Sequence, residues 1–303
     1  MWTARAKRLV RQTIGLPGVS DGLRWFLHQD AVPPRVHTLV HRKLAKPALF
    51  GKRTFKHRTE NGTLLELAHS LSANYLYWLG TYEPETVDVF LQLARGANVI
   101  FDIGASDGLY AILAAATNPS ARIHAFEPFE HAADVAERNF GLNAAVCKNV
   151  ELHRMALGAE DGVATLYVAS EGGGNSSLNP AFRSDHSEQR TEVRRGDSFI
   201  AAERIERLDL VKIDTESTEP SVLRGLATAL ERHHPEIVCE VLAGRTEDQL
   251  MELLVPLGYR FWSITANGLE HRDAIVGDRR FFNYLFSAAD ESTLAARGLR
   301  INR

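Results

Sequence analysis

Cysteine is nearly absent. The 303-residue sequence has two, Cys147 and Cys239, and they form no CxxC pair. That excludes a disulfide scaffold and a zinc finger, and it implies a reduced, cytoplasmic setting. Long apolar runs are missing as well. None approaches the roughly 18–20 residues of a membrane helix. The opening stretch MWTARAKRLVRQTIG holds too few apolar side chains for the core of a secretory signal, and no A-x-A site follows. No leader peptide is expected on that ground. What remains is an ordinary globular balance, 45% hydrophobic and 24% charged, which leaves no room for a collagen-like or disordered reading.

The net charge of −3 hides a split. Residues 1–58 hold 13 Lys/Arg against Asp21 and Asp30, a surplus of +11, while the remainder holds 22 bases against 36 acids. A basic, mainly helical arm is therefore joined to an acidic body. Helical stretches are expected at the start, after Asp21 and after Pro33-Pro34. The arm's partners by charge are its own acidic body, an acidic protein, or an anionic membrane touched peripherally.

Residues 53–58 and 63–68 read as strands around Glu60-Asn61-Gly62, a hairpin signal because Asn-Gly tolerates positive φ. Helices are expected over 70–79 and over 84–95, the second opening on Pro84. From Ala97 onward apolar strands alternate with helices: NVIFDIG, LYAILAAA, RIHAFEP, EHAADVAERNF, LDLVKID, residues 218–230, EIVCEV, residues 246–257, YRFWSI and FFNYLFS. That alternation predicts an α/β fold with a mainly parallel sheet covered on both faces. Ligands of such sheets bind beyond the strand carboxyl ends. The segments there are Asp102–Gly108, Glu127, Asp214–Glu219 and Glu240. Residues 170–190, glycine-rich and polar, read as a long loop over the site.

Val99–Gly108 reads VIFDIGASDG. A strand ends in Asp102, and Gly104 and Gly108 bracket a turn into a helix whose first N–H groups are free. Glu127 ends the next strand and is placed to accept both hydroxyls of a ribose. A dinucleotide fold requires G-x-G-x-x-G, and here Ser106 and Leu109 replace the second and third glycines. Asp102 would also repel a diphosphate. The carboxylate suits an ammonium instead, so S-adenosylmethionine, with an ammonium, a ribose and no phosphate, fits better than NAD.

Leu208–Gly225 reads LDLVKIDTESTEPSVLRG. Asp214 ends a strand, and Glu216 and Glu219 follow at a helix start, where Thr218 is a candidate cap. Asp214 or Glu216 could accept the proton of a substrate hydroxyl, since an alcohol is a poor nucleophile while protonated. The alternative is an Mg²⁺ site, but no complete metal-ligand set is visible. Asn175, Ser176 and Ser177 are short polar groups in the long loop that suit substrate orientation. His153 and His186 are further candidates for the base. His233-His234, before Pro235, suits a helix end, and Cys239 suits a buried strand.

These residues resemble the FkbM family of S-adenosylmethionine-dependent methyltransferases. The family's G-x-Y-E element is matched by Gly80-Thr81-Tyr82-Glu83. Its D-[IV]-G-A-N-x-G turn is matched by Asp102 through Gly108, with Ser106 in place of Asn. A-F-E-P is matched by Ala125–Pro128 and N-x-x-L-N by Asn139–Asn143. A-L-G is matched by Ala156–Gly158, N-S-S-L by Asn175–Leu178, and K-I-D-x-E-G-x-E by Lys212–Glu219, with Ser217 in place of glycine. A late strand acid corresponds to Glu240.

The resemblance implies a class I methyltransferase (Rossmann-like) fold of seven strands, the last antiparallel, over residues 281–286. It divides the chain into the arm 1–58, a lead-in 59–96, the methyltransferase domain 97–290 and a tail 291–303. It implies that Asp102, Gly104, Ala105, Ser106 and Gly108 hold the methionine end of the cofactor. Phe126, Glu127 and Pro128 would hold the ribose, Met155 and Ala156 would line the adenine, and Tyr82 and Glu83 would close over it. Asp214 would lie against the cofactor, and Glu219 and Glu240 would face the acceptor. The acceptor implied is a hydroxyl of a small molecule or glycan. A cofactor-binding protein without turnover, and a nucleic-acid methyltransferase using the arm, are the alternatives; no RNP or helix-turn-helix signature supports the latter.

Overall fold

The computed structural model describes residues 54–169, 176–181, 186–278 and 280–302. The helices expected before residue 53 and Asn175 lie outside them. The chain divides into two compact units between Glu83 and Pro84.

In the first unit, β1 (Thr54–Arg58) and β2 (Leu64–Ala68) pair antiparallel. The loop between them turns at Gly62, with φ +85°. Asn61 Oδ1 there accepts from the Thr63 N–H at 3.1 Å. Helix α1 (Leu71–Leu79) is capped by Ser70, whose hydroxyl accepts from the Ala73 N–H.

The second unit opens on α2 (Pro84–Ala94), with proline at the first helical position. Then follow β3 (Val99–Ile103), α3 (Leu109–Thr117), β4 (Arg122–Phe126), α4 (Glu130–Leu142) and β5 (Val150–His153). β6 (Ala156–Leu157), β7 (Gly162–Ala169), β8 (Ser176–Ser177) and β9 (His186–Arg194) come next. After α5 (Gly196–Ala202) come β10 (Leu210–Ile213), α6 (Glu219–Gly225), α7 (Ala227–His233), β11 (Glu236–Glu240) and α8 (Glu247–Leu254). The chain closes with β12 (Arg260–Thr265), β13 (Gly268–Arg272), β14 (Asn283–Ser287), α9 (Glu291–Ala296) and β15 (Ile301–Asn302).

The main sheet has nine strands, in the order β15-β13-β12-β14-β11-β10-β3-β4-β5. β5, β4, β3, β10 and β11 are parallel, and β14 runs antiparallel to both β11 and β12. The strand reversal at the carboxyl end of the chain is thus present, at Asn283–Ser287. The count of seven is corrected to nine, because β13 folds back on β12 and β15 pairs with β13. The tail after residue 290 therefore adds a strand to the sheet. Helix α2, placed in the lead-in by sequence, packs on β10, β11 and β12.

The central strands are mostly apolar because helices cover both faces, with Asp102, His124 and Lys212 as the buried polar exceptions. On the α5–α8 side Phe101, Phe126, Phe199, Leu223, Leu230, Leu250 and Phe286 form one core. The single helix expected over 218–230 is two, broken at Leu226. The one over 246–257 stops at Leu254 and ends in a 3-10 turn at Val255–Leu257, where Pro256 removes a backbone donor. Thr218 makes no side-chain cap; its hydroxyl donates to the Thr215 carbonyl instead. His234 ends α7 in the left-handed region, φ 45°.

The polar stretch 170–190 is not one loop. β7 and β9 form a long antiparallel ladder that reaches Ala169 and His186, and β8 pairs with β7, so these strands and β6 make a second sheet of four strands. It docks on the main body where Gly225 of α6 meets the Gly158 backbone so closely that a Cβ would collide with the Gly158 carbonyl. Gly225→Ala should therefore lower stability by about 1–3 kcal/mol, the usual cost of overpacking. Urea unfolding reads this; an unchanged midpoint would contradict the packing.

Candidate functional site

Strand ends β3, β4, β10 and β11 converge at one edge, and their acids converge with them. After Ile103 the backbone turns left-handed at Gly104 (φ 81°) and again at Ser106 (φ 52°). A Cβ on Gly104 would overlap the Asp214 carbonyl, so glycine is required there by close approach as well as by φ. The Gly104 and Ala105 N–H groups both donate to the Phe126 carbonyl at 3.0 Å. The turn is thereby fastened to β4. Gly108 starts α3 with φ 77°, and a Cβ there would sit 2.5 Å from the Phe140 ring.

Ser106 occupies the place of the family's asparagine, the residue type that tolerates the left-handed region best after glycine. Its N–H donates to Glu127 Oε2 at 2.7 Å, and the Phe129 N–H donates to Glu127 Oε1 at 2.8 Å. Each carboxylate oxygen thus has one backbone donor and lone pairs to spare. Pro128 accepts from Gln189 of β9 through its carbonyl at 2.8 Å. Phe126 is fully buried and stacks on His153. Met155 is half-buried and Ala156 is buried in β6.

Asp102 is buried, and its Oδ2 accepts from the Ala111 N–H in the first turn of α3 at 3.1 Å. Burial raises its pKa to about 7, against the pull of Lys212. Burial likewise raises Glu127 to about 7, against its two backbone donors. Lys212, 1% exposed, faces Asp214 at 3.2 Å and lies over the Tyr110 ring at 4.9 Å. Glu240 ends β11. Burial raises its carboxyl to about 10, with the nearby Asp214 and Glu216 adding to the shift. Asp214, Asp102 and Glu240 thus lie within electrostatic reach of the buried Lys212 ammonium, and Glu127, Glu216 and Glu219 lie within reach of those acids. An enclosure of that balance is complementary to a cation.

Glu219 holds the turn after β10 together. Its Oε1 accepts from the Ser217 N–H at 2.9 Å, the Thr215 hydroxyl at 3.2 Å and the Thr215 N–H at 3.3 Å. The side chain is 1% exposed. These bonds organise the turn at the helix start. Glu216 and Ser217 inside that turn both take positive φ, 55° and 77°. Serine thus stands in a left-handed conformation that favours glycine, and its buried hydroxyl finds no partner among the described residues. From the second sheet Ser177 donates to the Glu216 carbonyl at 2.8 Å, and Ser176 lies half-buried beside it. Tyr82 and Glu83 belong to the first unit, where Tyr82 meets the Tyr75 ring edge-on.

Of the two histidines considered as bases, His153 is half-buried against aromatic rings and His186 lies in β9 against Tyr167. Lys212 and Gln189 were not singled out from sequence. The Lys-Ile-Asp run was visible, but a lysine inside an apolar strand carries no spacing signal of its own.

Residues 102–261, just over half of the chain, match the methyltransferase FkbM domain. The chain is 29% identical over 173 residues to methyltransferase sdnD of Sordaria araneosa, covering 47% of this chain and 64% of that protein. It is 29% identical over 202 residues to the AMB antimetabolite synthetase AmbE of Pseudomonas aeruginosa, covering 53% of this chain and 9% of that much longer protein. The chain thus spans less than two thirds of either relative. Among solved structures it is similar to methyltransferase FkbM from Methylobacillus flagellatus, at 15% identity and a TM-score of 0.43 over 73% of this chain and 56% of that one.

Ser217→Gly should raise stability by about 1 kcal/mol, because it removes a left-handed side chain and an unpaired hydroxyl. For a body of this size that is a melting-temperature gain of roughly 2–4 °C. Calorimetric melting reads it, and a loss of stability would show that Ser217 makes a bond that offsets the strain. On the sequence match and the geometry together, the chain belongs to the FkbM family of methyltransferases, whose cofactor is S-adenosylmethionine.

Proposed function

We propose that this chain moves the methyl group of S-adenosylmethionine to a hydroxyl of a small molecule. The observation that carries the reading is the acidic strand-end crevice. Asp102 and Glu127 are pushed toward neutrality by burial, which Lys212 offsets only in part at Asp102. The cofactor supplies an electrophilic methyl on a sulfonium.

In this reading Glu127 accepts the ribose hydroxyls, its carboxylate fixed in plane by the Ser106 and Phe129 N–H groups. The free oxygen of Asp102 and the turn Gly104-Ala105-Ser106, with Gly108, serve the ammonium end. Phe126, Pro128, Met155 and Ala156 bound the adenine side. Asp214 accepts the acceptor's proton, and Glu216 is the alternative base in the same turn. Lys212 lies 3.2 Å from Asp214 Oδ2 and holds that carboxylate in place at the strand end. Glu240 stays protonated and donates to the acceptor. Ser176, Ser177 and Asn175 orient the acceptor, and Ser177 is joined directly to the turn that carries Glu216. Rate comes mainly from aligning oxygen, methyl and sulfur. Similarity to part of an antimetabolite synthetase supports a small-molecule acceptor.

The raised acids set a pH dependence. A carboxyl whose folded pKa lies above its unfolded value stabilises the ligand-free protein below the unfolded value. It loses that contribution as pH rises through about 7. Cofactor binding draws both groups to the charged form and so releases protons. Affinity for S-adenosylhomocysteine should accordingly rise as pH goes from about 6 to 8. Calorimetry in buffers of different ionisation enthalpy detects the released protons; uptake of protons would refute the assignment. Glu127→Gln should weaken binding at least about tenfold while leaving the fold intact, since a ribose loses a charged acceptor. Unchanged affinity would place the ribose elsewhere.

A further inference from the structure

His124, Glu151 and His153 stand together on the face of β4 and β5 that packs under α5, one strand position behind Glu127. Among the described residues they form the group of three metal-ligating side chains whose donor atoms converge. His124 Nδ1 lies 2.9 Å from His153 Nε2 and 3.6 Å from Glu151 Oε2. Donors bound to one Zn²⁺ at about 2.0–2.2 Å are themselves roughly 3–3.5 Å apart. The observed separations bracket that value without any movement of the backbone. From this juxtaposition we propose that His124, His153 and Glu151 bind a divalent first-row transition metal ion, with zinc as the best match to a two-imidazole, one-carboxylate set.

The surroundings fit such a site. Parallel pairing sets Glu151 opposite His124 and His153 opposite Phe126, so the three donors share one face of the sheet. His124 is fully buried, and Phe101, Phe126 and Phe199 surround its ring. The competing cation, Arg122, is committed to Glu203 at 2.8 Å. It reaches Glu151 only through Oε1 at 3.6 Å, leaving Oε2 toward His124. Arg194 lies over the Phe199 ring. Glu151 is half exposed, so an ion has a path from solvent and room for a water at its open position.

The place matters for the neighbouring strand end. The His153 carbonyl accepts from the Glu127 N–H at 3.0 Å. An ion here would clamp β4 to β5 directly behind the carboxylate of Glu127. The metal is structural in this position and stands apart from the acids around Lys212.

The test is a zinc titration of the chelator-stripped full chain against a chromophoric competitor, with Glu151→Gln and His153→Ala alongside. Wild type should bind one equivalent more than His153→Ala. Glu151→Gln, at a half-exposed position that leaves the core untouched, should weaken that equivalent at least about tenfold. Zinc should raise the melting temperature of wild type and not of His153→Ala. Co²⁺ should give wild type a visible band that His153→Ala lacks. Histidines elsewhere in the chain bind equally in all three proteins and cancel. Equal zinc stoichiometry and affinity in wild type and Glu151→Gln would overturn the site, whatever the behaviour of the alanine variant.

Discussion

Carboxyl groups taken out of water at the ends of adjacent parallel strands are the constraint on which the rest of this structure depends. Each costs free energy to ionise, and together they cost more. Lys212 offsets part of that cost from inside β10, and backbone N–H groups offset more at Glu127 and Asp102. The remainder is visible as carboxyls pushed to about 7 and about 10. A cavity in that condition favours a ligand that brings positive charge. The family assignment and the proposed cofactor meet at this point.

Holding the acids in place requires backbone that most residues avoid. Gly104 passes beneath the Asp214 carbonyl, Ser106 turns left-handed to aim its N–H at Glu127, and Glu216 and Ser217 turn left-handed in succession. Strain of this kind persists where surrounding contacts over-determine the conformation. Here Glu219 gathers the turn after β10 from within, and Ser177 holds it from the second sheet. Two positions where the sequence departs from the family's motifs, Ser106 and Ser217, are both left-handed.

Much of this was legible in the sequence. Apolar strands followed by helices, with glycine and acid at the strand ends, gave the sheet and located Asp102, Glu127 and Asp214. The four-stranded second sheet was not legible. β9 reads HSEQRTEVR, with Thr191 and Val193 buried near its end, so its pairing is set by the facing ladder of β7 and carries little apolar period. β13 and β15 were missed because short edge strands owe their pairing to tertiary position. The bonds of Glu219 to its own turn were not legible, because a sequence shows which residue follows a strand but not which way its carboxylate folds back. The meeting of His124 with His153 depends on parallel register, which no local pattern records.

The central claim is that the buried acids exist to receive S-adenosylmethionine. A crystal structure of the full chain with S-adenosylhomocysteine bound tests it most directly. The account predicts both ribose hydroxyls on the carboxylate of Glu127, the ammonium against Asp102 and the Gly104 turn, and the sulfur facing Asp214. A nucleoside bound away from Glu127, or a crevice whose acids touch no part of the cofactor, would contradict it.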